Sequence, residues 1–172
     1  MTFRSHSIIL IITFCFTNAF MIYGQSKKIK GEQIISKYIL LDTSKTAIIP
    51  FEHQSDYPFN KSYEPAFLSP QDINQVDSLF IACVSDYNKS LDKNHKNWNI
   101  DLKRKNYRKQ LVVVKNKKGE KEVWINCFCD TWGNNKWKTV MIVVVDGGNC
   151  YFNFKINLKT KKFYDLNVNS LG

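Results

Sequence analysis

The chain has 172 residues, is 44% hydrophobic and 14% aromatic, and carries a formal net charge of +10. That length supports one domain with a real core. No phosphate-cradling glycine loop or catalytic motif accompanies the charge, so the cations alone bound the choice of partner.

Residues 1–24 read as a secretory signal. Arg4 and His6 precede an apolar run of nine residues, Ile8 to Phe16, which is interrupted at Thr17-Asn18. A membrane span needs about 20 apolar residues, so export is expected, with no transmembrane segment in the mature chain. Cleavage after Gly24 leaves Gln25 first, and cleavage after Ala19 is the other candidate. Phe14 before Cys15 argues against a lipid-anchored cysteine. Removal of residues 1–24 takes away one Arg and no acid, which lowers the net charge to +9. The mature chain, 25–172, is expected to be a single α+β domain in the periplasm, at the cell surface or outside the cell.

Tyr38-Ile39-Leu40-Leu41 and Ala47-Ile48-Ile49-Pro50-Phe51 are compatible with a hairpin whose second strand Pro50 confines to a sheet edge. The run His53 to Leu68 is expected to be irregular, held to the domain by Tyr57, Phe59, Tyr63 and Phe67. Ser69-Pro70-Gln71-Asp72 is a strong helix start, with a capping serine, proline at the first helical position and an acid three residues on. Ile73, Val76, Leu79, Phe80, Cys83, Val84 and Tyr87 then recur at helical spacing, which predicts an amphipathic helix over 70–89.

Five β-branched or aromatic runs follow: Tyr107 to Lys115, Glu120 to Cys129, Lys138 to Asp146, Cys150 to Leu158 and Lys162 to Val168. Tight turns are expected at Asn116-Lys117-Lys118-Gly119, Asp146-Gly147-Gly148-Asn149 and Asn157 to Lys161. Consecutive pairing gives an antiparallel meander of about five strands under one main helix, cystatin-like in outline. Val140 to Val145, apolar on both faces, is expected at its centre.

Residues 93–121 hold eleven of the basic residues against only Asp101 and Glu120. The functional reading is an anion-binding face for a polysaccharide, lipid head group or acidic partner, and the bland one is a solvated loop and hairpin. Export argues against nucleic acid. Four cysteines follow the signal, Cys83, Cys127, Cys129 and Cys150, and all are disulfide candidates in an oxidising compartment. Three connectivities remain open. A helix-to-sheet bridge through Cys83 is geometrically reasonable, and Cys150 is placed to reach a neighbouring strand. Cys-x-Cys lacks metal-site spacing, and His53 and His95 lie in irregular segments, so no metal, cofactor or catalytic residue is expected.

The best candidate surface site is the loop around Trp132, Asn134, Asn135, Lys136 and Trp137, with Trp98 as an extension. Flat indoles beside amides suit a sugar ring or a protein surface. The opposing expectation is that the indoles fold back to cap the core. From Gly119-Glu120-Lys121-Glu122-Val123-Trp124 through Asp146-Gly147-Gly148-Asn149-Cys150 to Tyr164-Asp165-Leu166-Asn167, the chain resembles small exported proteins of unknown function from Bacteroidota. The resemblance implies a bacterial envelope location and adds no site. The expected role is therefore a non-catalytic binding module for an envelope protein or glycan. An inhibitor or immunity-type protein and a small envelope enzyme with an unrecognised site, for example a thiol, are the alternatives.

Overall fold

The computed structural model describes residues 41–52, 57–131, 133 and 135–170, all within one unit, Ile39–Gly172. The signal-peptide and cleavage-site assignments, and the first strand of the proposed N-terminal hairpin up to Leu40, lie outside those residues. The helix α1 runs Pro70–Ser90. Ser69 caps it as the sequence predicts. Its hydroxyl accepts from the Asp72 amide at 3.2 Å, while the Asp72 carboxylate accepts from the Ser69 amide at 2.7 Å. Two helix donors are thereby satisfied before the first turn closes. Val76, Phe80, Cys83 and Val84 are buried on one stripe, and each large apolar side chain so covered contributes roughly 1.5–3 kcal/mol.

The stripe lies on a six-stranded mixed sheet of β1 (Thr46–Ile48), β2 (Glu64–Pro65), β3 (Arg108–Lys115), β4 (Lys121–Phe128), β5 (Tyr151–Asn157) and β6 (Lys162–Val168). From β3 to β6 the sheet is the expected antiparallel meander, with neighbours in chain order. Its outer edge is not. Along β3, β1 pairs in parallel, Thr46 opposite Lys109, and β2 pairs antiparallel further on, Glu64 opposite Lys115. The chain leaves β1 and returns through α1, a crossover long enough to bring β3 back in the same direction. Pro50 follows an edge strand and Pro65 sits in one, where a missing amide donor is tolerated.

Alternation along each strand divides the core in two. Leu111, Val113, Val123, Ile125, Cys127, Phe152, Phe154 and Ile156 meet α1. Val112, Val114, Trp124, Phe128 and Tyr151 face the other way, against Ala47, Ile49, Phe59 and Trp137. Polar links fix the helix on its face: Gln75 donates to the Leu158 carbonyl at 2.5 Å, and Lys109 pairs with Asp77 at 2.9 Å. Lys121 pairs with Asp72 at the helix start.

The turns carry the local chemistry that their residues require. Gly119 sits at φ +75°, and the Asn116 side chain accepts from the Lys118 and Glu120 amides at 2.9 and 3.0 Å. Where no glycine is present, Asn157 does the same for Lys159 and Thr160, and Lys161 takes the positive φ. Gly147 is at φ +82°, and a Cβ there would lie 2.6 Å from the Tyr151 ring. Here the turn does not join two strands, because Lys138 to Asp146 is not a strand. That segment is irregular, and Val140, Val143 and Val145 are 55%, 69% and 84% exposed.

Among the described residues one disulfide, Cys129–Cys150, links the end of β4 to the start of β5 with 5.1 Å between Cα atoms. It closes the loop that carries the displaced segment, a constraint worth about 3 kcal/mol for a loop of this order. Cys83 and Cys127 are both free and buried, so the helix-to-sheet bridge through Cys83 does not form. They share the helix-side core as packed thiols.

Candidate functional site

The segment Trp137 to Asp146 crosses the sheet face opposite α1 as a strap. A chain laid over a sheet has no ladder to satisfy its backbone, so other groups must do so. Amide side chains projecting from the strands supply them. Gln110 on β3 donates to the Trp137 and Val140 carbonyls at 2.6 and 2.7 Å, and its oxygen accepts from the Ile142 amide at 2.9 Å. Asn126 on β4 donates to the Ile142 carbonyl at 2.7 Å and to Gln110 at 3.1 Å. Beyond β6, Asn169 donates to the Val144 and Asp146 carbonyls at 2.6 and 2.9 Å.

Held this way, the strap splits its apolar side chains between two directions. Met141, Ile142 and Val144 pack on the sheet, and Val140, Val143 and Val145 point to solvent. Between the strap and residues 49–52 and 57–58 lies a groove of about 450 Å³. Val140, Met141 and Val143 form one wall, Ile49, Pro50 and Phe51 the other, and Tyr57 stands edge-on to the buried Trp124 ring at 5.4 Å. Glu52 supplies the carboxylate on its rim. This volume falls in the range of small-molecule and side-chain pockets, and its lining is mostly apolar.

The same sheet face carries a second polar cluster. Glu122 on β4 is buried and accepts from the Tyr164 hydroxyl, from the Tyr63 hydroxyl at 3.4 Å and from Asn116 and Asn157 at 2.6 and 3.3 Å. Burial pushes the Tyr164 phenol up, and the Glu122 hydrogen bond adds to the rise. Burial does the same for Tyr107, whose hydroxyl donates to the Asn149 carbonyl at 2.6 Å. An unfolded tyrosine ionises near pH 10, about where the folded chain still holds these protons. Stability from both groups is thus intact below about pH 10 and is lost as pH rises toward the folded values. Urea midpoints are expected to fall between about pH 9 and about pH 11. Tyr164→Phe should flatten that slope even though its hydrogen bond is lost.

No protein family, curated protein or solved structure matches the chain. The candidate site therefore rests on its own geometry.

Trp137 is 2% exposed, edge-on to Phe128 at 5.8 Å, with the Arg108 guanidinium 5.8 Å from its ring centre. Its indole closes the strap-side core and offers no plane to a sugar, which corrects its assignment as a surface ligand contact. Trp132 and Asn134 lie outside the described residues, Asn135 opens a short 3-10 turn, and Lys136 is exposed. Trp98 belongs to the opposite side of the sheet. It ends a 3-10 turn after α1, with His95 edge-on at 5.9 Å and its carbonyl 3.5 Å from the Tyr87 hydroxyl. The indoles of 98 and 137 thus do not make one face.

Neither free thiol resembles a nucleophile. Burial pushes Cys83 up to about 12 and Cys127 higher still. Both are held protonated inside the core. Among the described residues no group of three His, Cys, Asp or Glu is placed to hold a metal ion, and no helix is long and apolar enough to cross a membrane.

The groove was missed in the sequence because its strap reads as a central strand. One signal pointed elsewhere. Gln110 and Asn126 interrupt the apolar runs of two strands, and paired amides inside a sheet need backbone partners that a ladder does not provide.

Proposed function

We propose that this chain is an exported binding module of the bacterial envelope, and that the groove between the strap and residues 49–52 and 57–58 receives an apolar side chain of a protein partner. The observation that carries the reading is the outward presentation of Val140, Val143 and Val145. Contiguous exposed apolar surface beside a formed pocket is the signature of an interaction site. The Cys129–Cys150 disulfide supports export, because such bonds persist in oxidising compartments. The burial of Trp137 favours a protein partner over a glycan, since it removes one of the two stacking planes that a sugar would use.

Val143 is exposed and belongs to neither buried core cluster, so a photo-crosslinking side chain placed there leaves the fold intact. Irradiation of cells producing that variant is expected to give one adduct of defined mass. Ser78, exposed on α1, is the control position. No adduct at 143, or the same adducts from 78, would remove the groove as the contact surface. An adduct with a hydrolase or toxin would make the partner one that this chain inhibits.

A further inference from the structure

The helix side of β1 and β3 carries a second concavity, independent of the groove. Its volume is about 320 Å³, and it is lined by Asp42, Lys45, Thr46, Phe80 and residues 102–107 with Lys109. Five cations, Lys45, Lys103, Arg104, Lys105 and Lys109, line it from two separate stretches of chain, and among the described residues Asp42 is the one carboxylate in the lining. We propose that this cleft binds a phosphomonoester carried on a compact polar body.

The charge accounting favours an anion. Asp77 takes up Lys109 at 2.9 Å, and Asp101, outside the lining, lies 3.7 Å from the Arg104 guanidinium. Lys105 donates to the neutral Asn149 side chain at 2.6 Å, and among the described residues no ion pair joins Lys45 or Lys103 to a carboxylate. Asp42 is engaged locally, accepting from the Ser44 amide and hydroxyl at 3.0 and 2.6 Å. These hydrogen bonds, the hydroxyl's first, hold its carboxyl below the usual range.

The loop is also set in place. Asp101 accepts from the Lys103 and Arg104 amides, both at 3.0 Å, and the Tyr107 hydroxyl anchors its far end on Asn149. Fixing this backbone lowers the ordering cost of presenting the cations.

Geometry selects among anions. A carboxylate offers two coplanar oxygens, whereas a phosphomonoester offers three terminal oxygens in a tetrahedral array and nearly two charges at neutral pH. Cations approaching from Lys45 and from the 103–105 loop suit the tetrahedral ligand, and the Arg104 fork takes two of its oxygens. Phe80, Leu102 and Tyr107 form the apolar part of the lining, against which the carbon skeleton of the ligand packs. The other cations of the basic run are elsewhere. Lys115, Lys117, Lys118 and Lys121 lie at the far end of β3, about 20 Å from Lys109 along the strand. Lys93 and Lys96 lie on the 3-10 turn after α1, and Arg108 turns to the Trp137 ring. Lys118 and Lys121 border a hollow of their own, but Asp72 and Glu120 share its lining, so the cleft carries the larger cationic excess.

The probes are glucose 6-phosphate, inorganic phosphate, and vesicles of phosphatidylcholine with or without phosphatidic acid, whose head group is a phosphomonoester. Glucose 6-phosphate is expected to bind saturably by calorimetry, to be displaced by inorganic phosphate and to weaken as salt is added. Lys103→Gln with Arg104→Gln should reduce affinity at least tenfold. Lys117→Gln with Lys118→Gln, which removes the same charge from the hairpin turn, should leave it within about twofold. Flotation with phosphatidic acid vesicles, reversed by glucose 6-phosphate, makes the source a membrane head group. Glucose 6-phosphate binding without flotation makes it a soluble phosphate ester. Absence of saturable binding to both probes, or equal weakening by the two double variants, overturns the site.

Discussion

Gln110→Leu is expected to release the strap while leaving the sheet and α1 folded. The substitution keeps the volume and apolar packing of the position but removes the partners of the Trp137 and Val140 carbonyls and the Ile142 amide. Leaving a buried polar group unpaired costs roughly 1–3 kcal/mol each, so the loss is about 3 kcal/mol or more. Asn126 loses its bond to Gln110 as well. Because the Cys129–Cys150 bond still closes the loop, the strap detaches without freeing the strands on either side. Amide exchange should show Ile142 losing protection while Val113, Ile125 and Phe154 keep theirs, and the Trp137 emission should shift toward that of an exposed indole. Loss of protection throughout the sheet would mean that the strap is part of the cooperative core. A photo-crosslink at position 143 should disappear in the same variant, which ties the groove to the amides that hold its wall.

Phe154→Ala is expected to do the opposite. Phe154 is fully buried at the centre of the helix-side core, with its ring stacked 6.1 Å from that of Phe80 on α1. Truncation leaves a cavity between helix and sheet and costs about 3–5 kcal/mol. That is a large part of the 5–15 kcal/mol typical of a domain, so the urea midpoint should fall steeply and all protected amides should weaken together. The contrast between the two variants is diagnostic. One side of the sheet holds the fold, and the other holds a separately removable wall. Val143→Asp, on the solvent side of that wall, should change stability by no more than about 0.5 kcal/mol.

Much of the helix side was legible in the primary structure because its causes are local. Ser69 and Asp72 cap a helix whose apolar spacing matches its own period, and Phe152, Phe154 and Ile156 alternate as a half-buried strand must. Gly119 and Asn157 set hairpin turns through backbone freedom and side-chain hydrogen bonds available within a few residues. None of these depends on a distant part of the chain. The even cysteine count pointed to disulfides, yet the choice of Cys129 and Cys150 follows from the adjacency of β4 and β5. The basic run was visible as composition, and the helix-side cleft appears only where β1 brings Lys45 beside the 103–105 loop.

The strap is the clearest case of a decision made above the local level. Val140 to Val145 has the composition of a buried strand, and β propensity records how well side chains fit a packed surface rather than where the backbone finds its partners. The place beside β4 is occupied by β5, whose alternation supplies the helix-side core with Phe152, Phe154 and Ile156. The valine run then crosses the open face, where Gln110 from β3, Asn126 from β4 and Asn169 from beyond β6 reach its carbonyls. Likewise, β1 joins the edge in parallel because the crossover through α1 returns the chain in the same direction. Periodicity, caps and turns were set by residues within reach of one another, whereas strand order, the groove and the cleft required contacts between segments that only the folded chain brings together.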